Sequence, residues 1–457
     1  MNIGSYPRYK HSGVDWLGDI AAHWGVRAIK HLVSTPVTDG PHSTPEIFDE
    51  GIPFVSAEAI NHGRINFGKI RGYITQEDHK LFSKKYKPAR GDIYLVKSGA
   101  TTGRVAMVET DIEFNIWSPL AAIRCNPALV DRNYLFFFMQ SKEFQTAIEL
   151  SWSFGTQQNI GMGVIQNLAV PIPSLSEQRA IAKFLERETG RMDRLVEKKR
   201  ELIERLNEKR IALISRTITR GLPPPFARAA GLSVDPPLKP SGIAWLGDIP
   251  AHWGVIDLFR IAERIQTGPF GSQLHSTDYV EGGTPLINPA HISGGRIFPD
   301  DLSSVDEATV DRLNRHVVRQ GDIIMGRRGE IGRCAVVESR EAGWLCGTGC
   351  LLIRLRNSDS FYYATIISGS GFSRLLELRA VGTTMLNLNP TIVGRMLVPV
   401  PPLPEQIAIA AYLDSEKVKL DAMVKKVEEA IERLLEYRTA LITAAVTGKI
   451  DVRKAAG

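Results

Sequence analysis

WLGDIAAHWGV occupies Trp16–Val26 and WLGDIPAHWGV occupies Trp245–Val255; ten of the eleven letters agree across a separation of 229 residues. In a chain of 457 residues, that separation is half the length. Other landmarks recur in the same order. Arg90-Gly91-Asp92-Ile93 is answered by Gln320-Gly321-Asp322-Ile323, and Gly99 and Gly103 by Gly329 and Gly332. Val170-Pro171-Ile172-Pro173, with Leu175, Glu177 and Gln178, is answered by Val398-Pro399-Val400-Pro401, with Leu403, Glu405 and Gln406. A long polar–apolar run ends in Ala212-Leu213-Ile214 and again in Ala440-Leu441-Ile442. A period this long is not a solenoid, whose units are far shorter; it is one complete module written twice.

Each copy has a mixed part and a helical part. GDIYLVKSG and GDIIMGRRG predict strands that end in glycine turns, and GRVAMVE and GRCAVVE the strands that follow. VDRNYLFFFMQS and SDSFYYATIIS predict helices. The expected division is a mixed α/β domain over 1–175, a long helix over 176–222, a proline- and glycine-rich linker over 223–240, a second mixed domain over 241–402 and a second long helix over 403–449. Ser174-x-x-Glu177 has the pattern of a capping box, which satisfies orphan amides at a helix start. The other copy has Pro402 and Pro404 there, which a first helical turn tolerates.

The long helices carry a heptad pattern. The expected seam is Met192, Leu195, Lys199, Leu202, Leu206, Lys209 and Leu213 on the first, and Leu420, Met423, Val427, Ala430, Leu434, Tyr437 and Leu441 on the second. From Glu177 to Arg220 there are 13 Lys/Arg against 8 Asp/Glu, net +5; from Glu405 to Gly448 there are 6 against 8, net −2. Opposite signs favour the two helices pairing with each other, antiparallel, as a coiled coil with pseudo-two-fold symmetry. About 30 paired residues span roughly 45 Å, against about 34–36 Å for one turn of B-DNA.

Composition bounds the function class. Apolar content of 43% with 23% charged residues is that of a globular protein. No run of about 18 apolar residues suggests a membrane span, and MNIGSYPRYKHSG has no apolar signal core. Four cysteines are too few for a disulfide framework, and Cys346 and Cys350 lack neighbouring Cys/His partners for zinc. The formal charge of +6 is compatible with nucleic acid. Asp235-Pro236-Pro237-Leu238 approaches an adenine-methylase motif but lies in the linker without its aromatic. Gly369-Ser370-Gly371 matches Ser141-Lys142-Glu143 of the other copy, which no phosphate loop would. No catalytic constellation or metal set stands out, so a non-enzymatic chain is expected.

Read together, the doubled motifs are similar to those of the specificity subunit of type I restriction–modification systems, over nearly the full length. The carriers are Gly91-Asp92-Ile93 with Gly99, Gly321-Asp322-Ile323 with Gly329, the proline-Glu-Gln helix starts at Glu177-Gln178 and Glu405-Gln406, and the opening WLGDIPxHW, from which the first copy departs by Ala21 in place of the proline. The resemblance implies two target-recognition domains that read a bipartite double-stranded DNA target, with the helices as spacer and docking surface. It implies no cofactor in this chain. S-adenosylmethionine, ATP and Mg would belong to partners: two methylation subunits and, through them, restriction subunits. It also implies a prokaryotic cytoplasm, with nucleoid association when DNA is bound. The alternative is a scaffold carrying two protein-binding domains on a coiled-coil strut; steep salt dependence of DNA binding separates the two.

The duplication also sorts residues. Positions identical in both copies are expected to be scaffold: Trp16, Trp24, Trp245 and Trp253 in packing, and Asp19 with His23, or Asp248 with His252, in a local hydrogen bond or cap. Loops that diverge between the copies are expected to read DNA. In the first copy their residues are His42, in the loop Asp39-Gly40-Pro41-His42; Ser56 and Glu58; Lys97, Ser98, Thr101, Thr102 and Arg104; and Gln157, Gln158 and Asn159. In the second they are Ser272, Asn288, His291, Arg327, Arg328, Arg333, Thr383, Thr384 and Asn387. Arg and Lys neutralise phosphate or take guanine, and Gln and Asn pair with adenine in the major groove.

Overall fold

The computed structural model describes residues 4–152, 158–300, 302–328, 330–379 and 388–453. The chain divides into two compact units, which we call lobes: residues 1–200 with 428–457, and residues 201–427. Among the described residues no helix is long and apolar enough to cross a membrane.

The first lobe is built on a four-stranded antiparallel sheet in the order Val105–Met107, Ile93–Val96, Leu120–Ile123, Thr38–Asp39. The three longer strands, Val105–Met107, Ile93–Val96 and Leu120–Ile123, carry no charged residue because both faces are covered. Ile93, Leu95, Val105, Met107, Ala121 and Ile123 join one core, with the helices Arg132–Met139 and Lys142–Leu150. Tyr94, Val96, Ala106, Leu120 and Ala122 join a second core on the opposite face. Alternate residues of a strand point to opposite faces, so a continuous apolar run is the signature of a doubly buried sheet. A three-stranded sheet, Asn115–Ile116, Ile52–Val55 and Gly72–Ile74, flanks it.

The second lobe repeats the plan. Cys334–Val336, Ile323–Gly326, Cys350–Leu355 and Ala262–Thr267 form the four-stranded sheet. Ile323, Met325, Leu351 and Ile353 face one core while Ile324, Ala335, Cys350 and Leu352 face the other. The helix expected from SDSFYYATIIS is Ser360–Ser368. The proline-rich stretch is not featureless: Pro224–Ala229 is helical, and Leu238–Pro240 pairs with Asp248–Pro250 as Tyr9–His11 pairs with Asp19–Ala21. The second copy therefore begins inside the segment read as linker.

Gly91-Asp92 and Gly321-Asp322 are frame, not reading residues. Gly91 and Gly321 have φ of 94° and 87°, which a side chain would strain. Asp92 takes two hydrogen bonds from Arg124, at 2.8 and 2.7 Å, and one from the Ala89 amide at 2.9 Å. Asp322 does the same with Arg354, at 2.7 and 2.7 Å, and the Arg319 amide at 2.7 Å. The paired motif clamps the turn before the central strand to the strand beside it.

The two outer repeat motifs meet. Trp24 Nε1 and Tyr6 Oη donate to Glu177 Oε1 at 3.2 and 2.6 Å, and His23 Nε2 lies 3.0 Å from Glu177 Oε2. In the second lobe Trp253 Nε1 and His252 Nε2 lie 3.1 and 2.9 Å from Glu405 Oε2. The histidines thus bond the glutamates at the helix starts, not Asp19 or Asp248. For the same reason the expected capping box is half formed. Ser174 Oγ caps the Glu177 amide at 3.3 Å, but the Glu177 carboxylate is already taken. Gln178 and Gln406 finish the joint: their Oε1 atoms accept from the Asp131 and Asp359 amides at 2.7 and 2.9 Å. Trp24 and Trp253 are fully buried, and Trp16 and Trp245 pack on the cores.

The long helices run Leu175–Arg220 and Leu403–Val446. In the first lobe, Tyr134 Oη donates to both Pro171 O and Val446 O, at 2.7 and 3.2 Å, while Arg438 pairs with Asp193 at 2.9 Å. The start of one helix therefore lies by the end of the other, which makes the segments antiparallel there. In the second lobe Arg210 pairs with Asp421. By the repeat, Arg210 corresponds to Arg438 and Asp421 to Asp193, so the two cross-helix bonds are one bond written twice.

The seam differs from expectation by one residue at alternate steps. Leu195, Leu202, Met423 and Tyr437 are 43%, 44%, 51% and 58% exposed. The more buried positions are Met192, Val196, Lys199, Ile203, Leu206, Arg210 and Leu213, with Leu420, Val424, Val427, Ile431, Leu434, Arg438 and Leu441 matching them in turn. Lys209 is exposed and Arg210 takes its place, because its guanidinium bonds Asp421 across the helix pair.

Candidate nucleic-acid interface

In the first lobe two diverged turns are joined. Ser98 pairs with Asn159 in a short antiparallel contact, and the Ile160 amide donates to Lys97 O at 2.8 Å. The Gly99 amide donates to Gln158 O at 3.1 Å. Thr102 Oγ1 donates to Gly99 O at 2.7 Å and Gln158 O at 3.3 Å. Ser98, Thr101, Thr102, Arg104, Gln158 and Asn159 thus lie on one stretch of surface, with Arg104, Gln158 and Asn159 exposed. Gln157 lies outside the described residues.

Beside this turn sits a carboxylate that the sequence reading quoted but did not select. Asp39 Oδ1 is 2.6 Å from Lys85 Nζ; its Oδ2 is 3.2 Å from Lys97 Nζ and 3.2 Å from His42 Nε2. Burial alone pushes the Asp39 carboxyl up, but the Lys85 and Lys97 cations outweigh it and hold it below its ordinary range. Lys97 is consequently a buried, ion-paired side chain rather than an open cation, whereas His42 is exposed. The chain can come this close only at glycine: a Cβ on Gly40 would stand 2.0 Å from Ile116 O, and one on Gly268 1.9 Å from Gly347 O. Arg71 stacks over Trp117, 4.1 Å from the ring centre, another contact that no sequence signal announced.

Ser56 is buried at the start of the one-turn helix Ala57–Ala59, so it is misplaced as a reader; Glu58, on that turn, is exposed.

In the second lobe the Arg327 amide donates to Gly349 O at 2.9 Å, and Arg327 O accepts from the Leu388 amide at 3.0 Å. This repeats the Lys97–Ile160 tie and brings the chain back to the turn just after 387. Thr383, Thr384 and Asn387 themselves lie outside the described residues. Arg328 is exposed. Arg333 bonds Glu330 and donates to Pro289 O at 3.4 Å, tying its turn to the half-buried Asn288. Burial, and then the Arg328 charge, press the Arg327 guanidinium below its ordinary value. Ser272 lies on the one-turn helix Gly271–Gln273. His291 is the other misplaced reader: it is buried, with Nδ1 3.0 Å from Leu286 O and Nε2 3.0 Å from Asp300. Among the described residues no cluster of His, Cys, Asp and Glu could hold a metal ion.

Comparison with known proteins agrees with this doubled plan. The chain is 25% identical over 452 residues to a putative type I restriction enzyme MjaX specificity subunit of Methanocaldococcus jannaschii, covering 96% of each. It is 22% identical over 415 residues to the MjaVIII specificity subunit of that organism, covering 88% of this chain and 86% of the relative. A chain from a solved type I R-M system, studied for complex assembly and conformational transition, shares the fold at a TM-score of 0.69 and 17% identity, over 94% of this chain and 99% of that one. A family model, the type I restriction modification DNA specificity domain, matches residues 24–205 and again residues 256–433. Matched twice across most of its length, the chain belongs to the family of type I restriction modification DNA specificity domains.

Proposed function

We propose that this chain is the non-catalytic DNA-specificity subunit of a type I restriction–modification complex. Each lobe reads one half of a bipartite target, and the long helices set the spacing between halves and dock two methylation subunits. Those partners bring S-adenosylmethionine, and restriction subunits bring ATP and Mg. One observation carries the reading: the end of the same central strand leads into Lys97-Ser98 in one lobe and Arg327-Arg328 in the other. A shared frame with different side chains is what reading two different half-sites requires.

Mapping adenine methylation in cells with and without the gene tests it. A bipartite methylated motif appears with the gene and vanishes without it; an unchanged methylome rejects the proposal. Exchanging residues 1–175 for those of a relative changes one half of that motif, and a change in both halves rejects independent reading. Four residues added at matched points of both long helices add roughly 6 Å, so the spacer lengthens by about two base pairs at about 3.4 Å each. An unaltered spacer rejects the helices as its measure.

A further inference from the structure

The first lobe carries a stacked pair of side chains that the second lobe lacks altogether. Arg71 is exposed, and its guanidinium lies 4.1 Å from the centre of the Trp117 ring. Among the described residues no carboxylate pairs with Arg71. The ring beneath it is fixed. Trp117 packs on the buried Phe54, with ring centres 6.4 Å apart, and its amide donates to Val55 O at 2.9 Å. Two residues on, Pro119 O accepts from the Lys97 amide at 2.8 Å, and a Cβ on Gly40 would stand 2.7 Å from the Trp117 carbonyl carbon. The stack therefore stands beside both the Lys97-Ser98 turn and the Asp39-Gly40-Pro41-His42 loop. Register finds the same positions in the second lobe. Ile116 stands opposite Val55 and Cys346 opposite Ile287, so Trp117 is answered by Gly347. Pro53 stands opposite Tyr73 and Pro285 opposite Ser304; two residues back from each lie Arg71 and Leu302. Two residues on from each, Thr75 and Asp306 cap the next helix, which confirms the match. Leu302 is 79% exposed, and a Cβ on Gly347 would stand 2.4 Å from Asn288 Oδ1. Cation and ring are thus present together in one lobe and absent together in the other.

We propose that Arg71 is a base-reading residue of the first lobe, held by Trp117 so that its donors meet the major-groove edge of a guanine in the first half-site. A guanidinium stacked on a ring uses its face and keeps its N–H edge, the part that bonds O6 and N7 together. An arginine already ordered on a ring also loses less freedom when it binds. A phosphate would need only a nearby charge, which a lysine without a ring supplies. Lys97 has Asp39 to leave before it can reach DNA, whereas Arg71 has no ion pair to break. The second lobe, with Leu302 and Gly347 at these places, has no means of making the contact, so this guanine is read in one half only. Trp117 is a positioning residue: it acts through Arg71 and touches no base. This inference rests on the DNA-reading function proposed above.

The test is selection of duplexes from a randomised pool by the full chain, with methylation subunits present, reading the base preference at every position of both halves. The wild-type chain selects a bipartite motif with a guanine in the half read by the first lobe. Arg71→Gln lowers the preference for that guanine by about 5- to 150-fold and leaves the other half as it was. Arg71→Lys loses the preference as well, yet keeps the slope of log affinity against log salt, because the charge remains without the fork. Trp117→Leu weakens the preference at that same position, and Trp117→Phe, which keeps a ring, restores most of it. The inference is overturned if Arg71→Gln leaves the motif intact, alters both halves or weakens all sequences equally, or if Arg71→Lys keeps the guanine. Arg71 is exposed, so its variants decide the matter even if a Trp117 variant fails to fold. A wild-type chain that selects no motif at low salt would sink the DNA reading itself.

Discussion

The first and second lobes share a frame but not what backs it. Asp92 and Asp322 hold the same turn to the same neighbouring strand. Around Asp92, Arg124 is 34% exposed, and Tyr86 Oη adds a third side-chain bond at 2.5 Å. Around Asp322, Arg354 is 9% exposed, and the position of Tyr86 is taken by His316, a buried ring that makes no bond to Asp322. The copies kept the bonds that make the turn and let their surroundings drift. Equal-looking motifs should therefore fail unequally.

The largest expected difference is at these aspartates. Asp322→Ala leaves a buried guanidinium without its carboxylate and should cost about 3–5 kcal/mol. Asp92→Ala should cost less, about 2–3 kcal/mol, because Arg124 can turn to water and Tyr86 keeps its contact with Tyr94 at 3.1 Å. Denaturant unfolding followed by hydrogen exchange in each lobe separates the two losses. Equal losses would mean that exposure of the arginine does not matter.

The helix seam shows what the sequence could and could not say. From Met192 a step of three reaches Leu195 and a step of four reaches Val196, and both phases are apolar. Leucine at 195 and 202 argued for the wrong phase. An arginine at 210 hid the right one, since a charged side chain on a seam is intelligible only once Asp421 is seen opposite it. We expect Val196→Asp to cost about 2–4 kcal/mol by burying a charge in place of an apolar side chain, and Leu195→Asp less than about 1 kcal/mol. Thermal unfolding of the two variants decides the phase.

By contrast, the frame was legible, because it consists of residues that bond one another. Trp24, His23 and Glu177 are 153 or 154 residues apart in sequence, yet all three recur in the second copy. The reading surface was legible only in part. Divergence between copies marks positions free to vary, and Ser56 and His291 show that buried positions vary too. Asp39 was overlooked because its partners, Lys85 and Lys97, come from other elements, and neither spacing suggests a triad.

His316 gives the lobes different acid sensitivity. Burial, then the Arg315 charge, push its imidazole down to about 4 from an ordinary value of 6.5. The unfolded chain binds the proton more tightly than the folded one. The second lobe therefore keeps its full stability above pH 6.5 and loses it as pH falls toward 4, by roughly 2–3 kcal/mol at most. Tyr86, at the matching place, does not titrate in this window. His316→Phe should remove the pH dependence between those limits from exchange protection in the second lobe and leave the first lobe's profile as it was. A wild-type second lobe equally stable at both ends of the window would contradict the assignment.

The smallest contrast lies where each domain grips its helix. Glu177 holds three donors, Tyr6, His23 and Trp24, whereas Glu405 holds His252 and Trp253. Tyr6 has no counterpart in the second lobe, because the repeat places Asp235 there. Replacing an indole N–H removes one bond to a charged acceptor. Trp253→Phe should cost about 1–2 kcal/mol, since a single donor remains on a buried carboxylate. Trp24→Phe should cost less than about 1 kcal/mol, since Tyr6 and His23 still satisfy Glu177. If Tyr6 is what cushions the first lobe, then Tyr6→Phe combined with Trp24→Phe should raise its cost to the Trp253→Phe value. Additive, small losses in that double variant would show instead that the joint is held by apolar packing and that its hydrogen bonds are incidental.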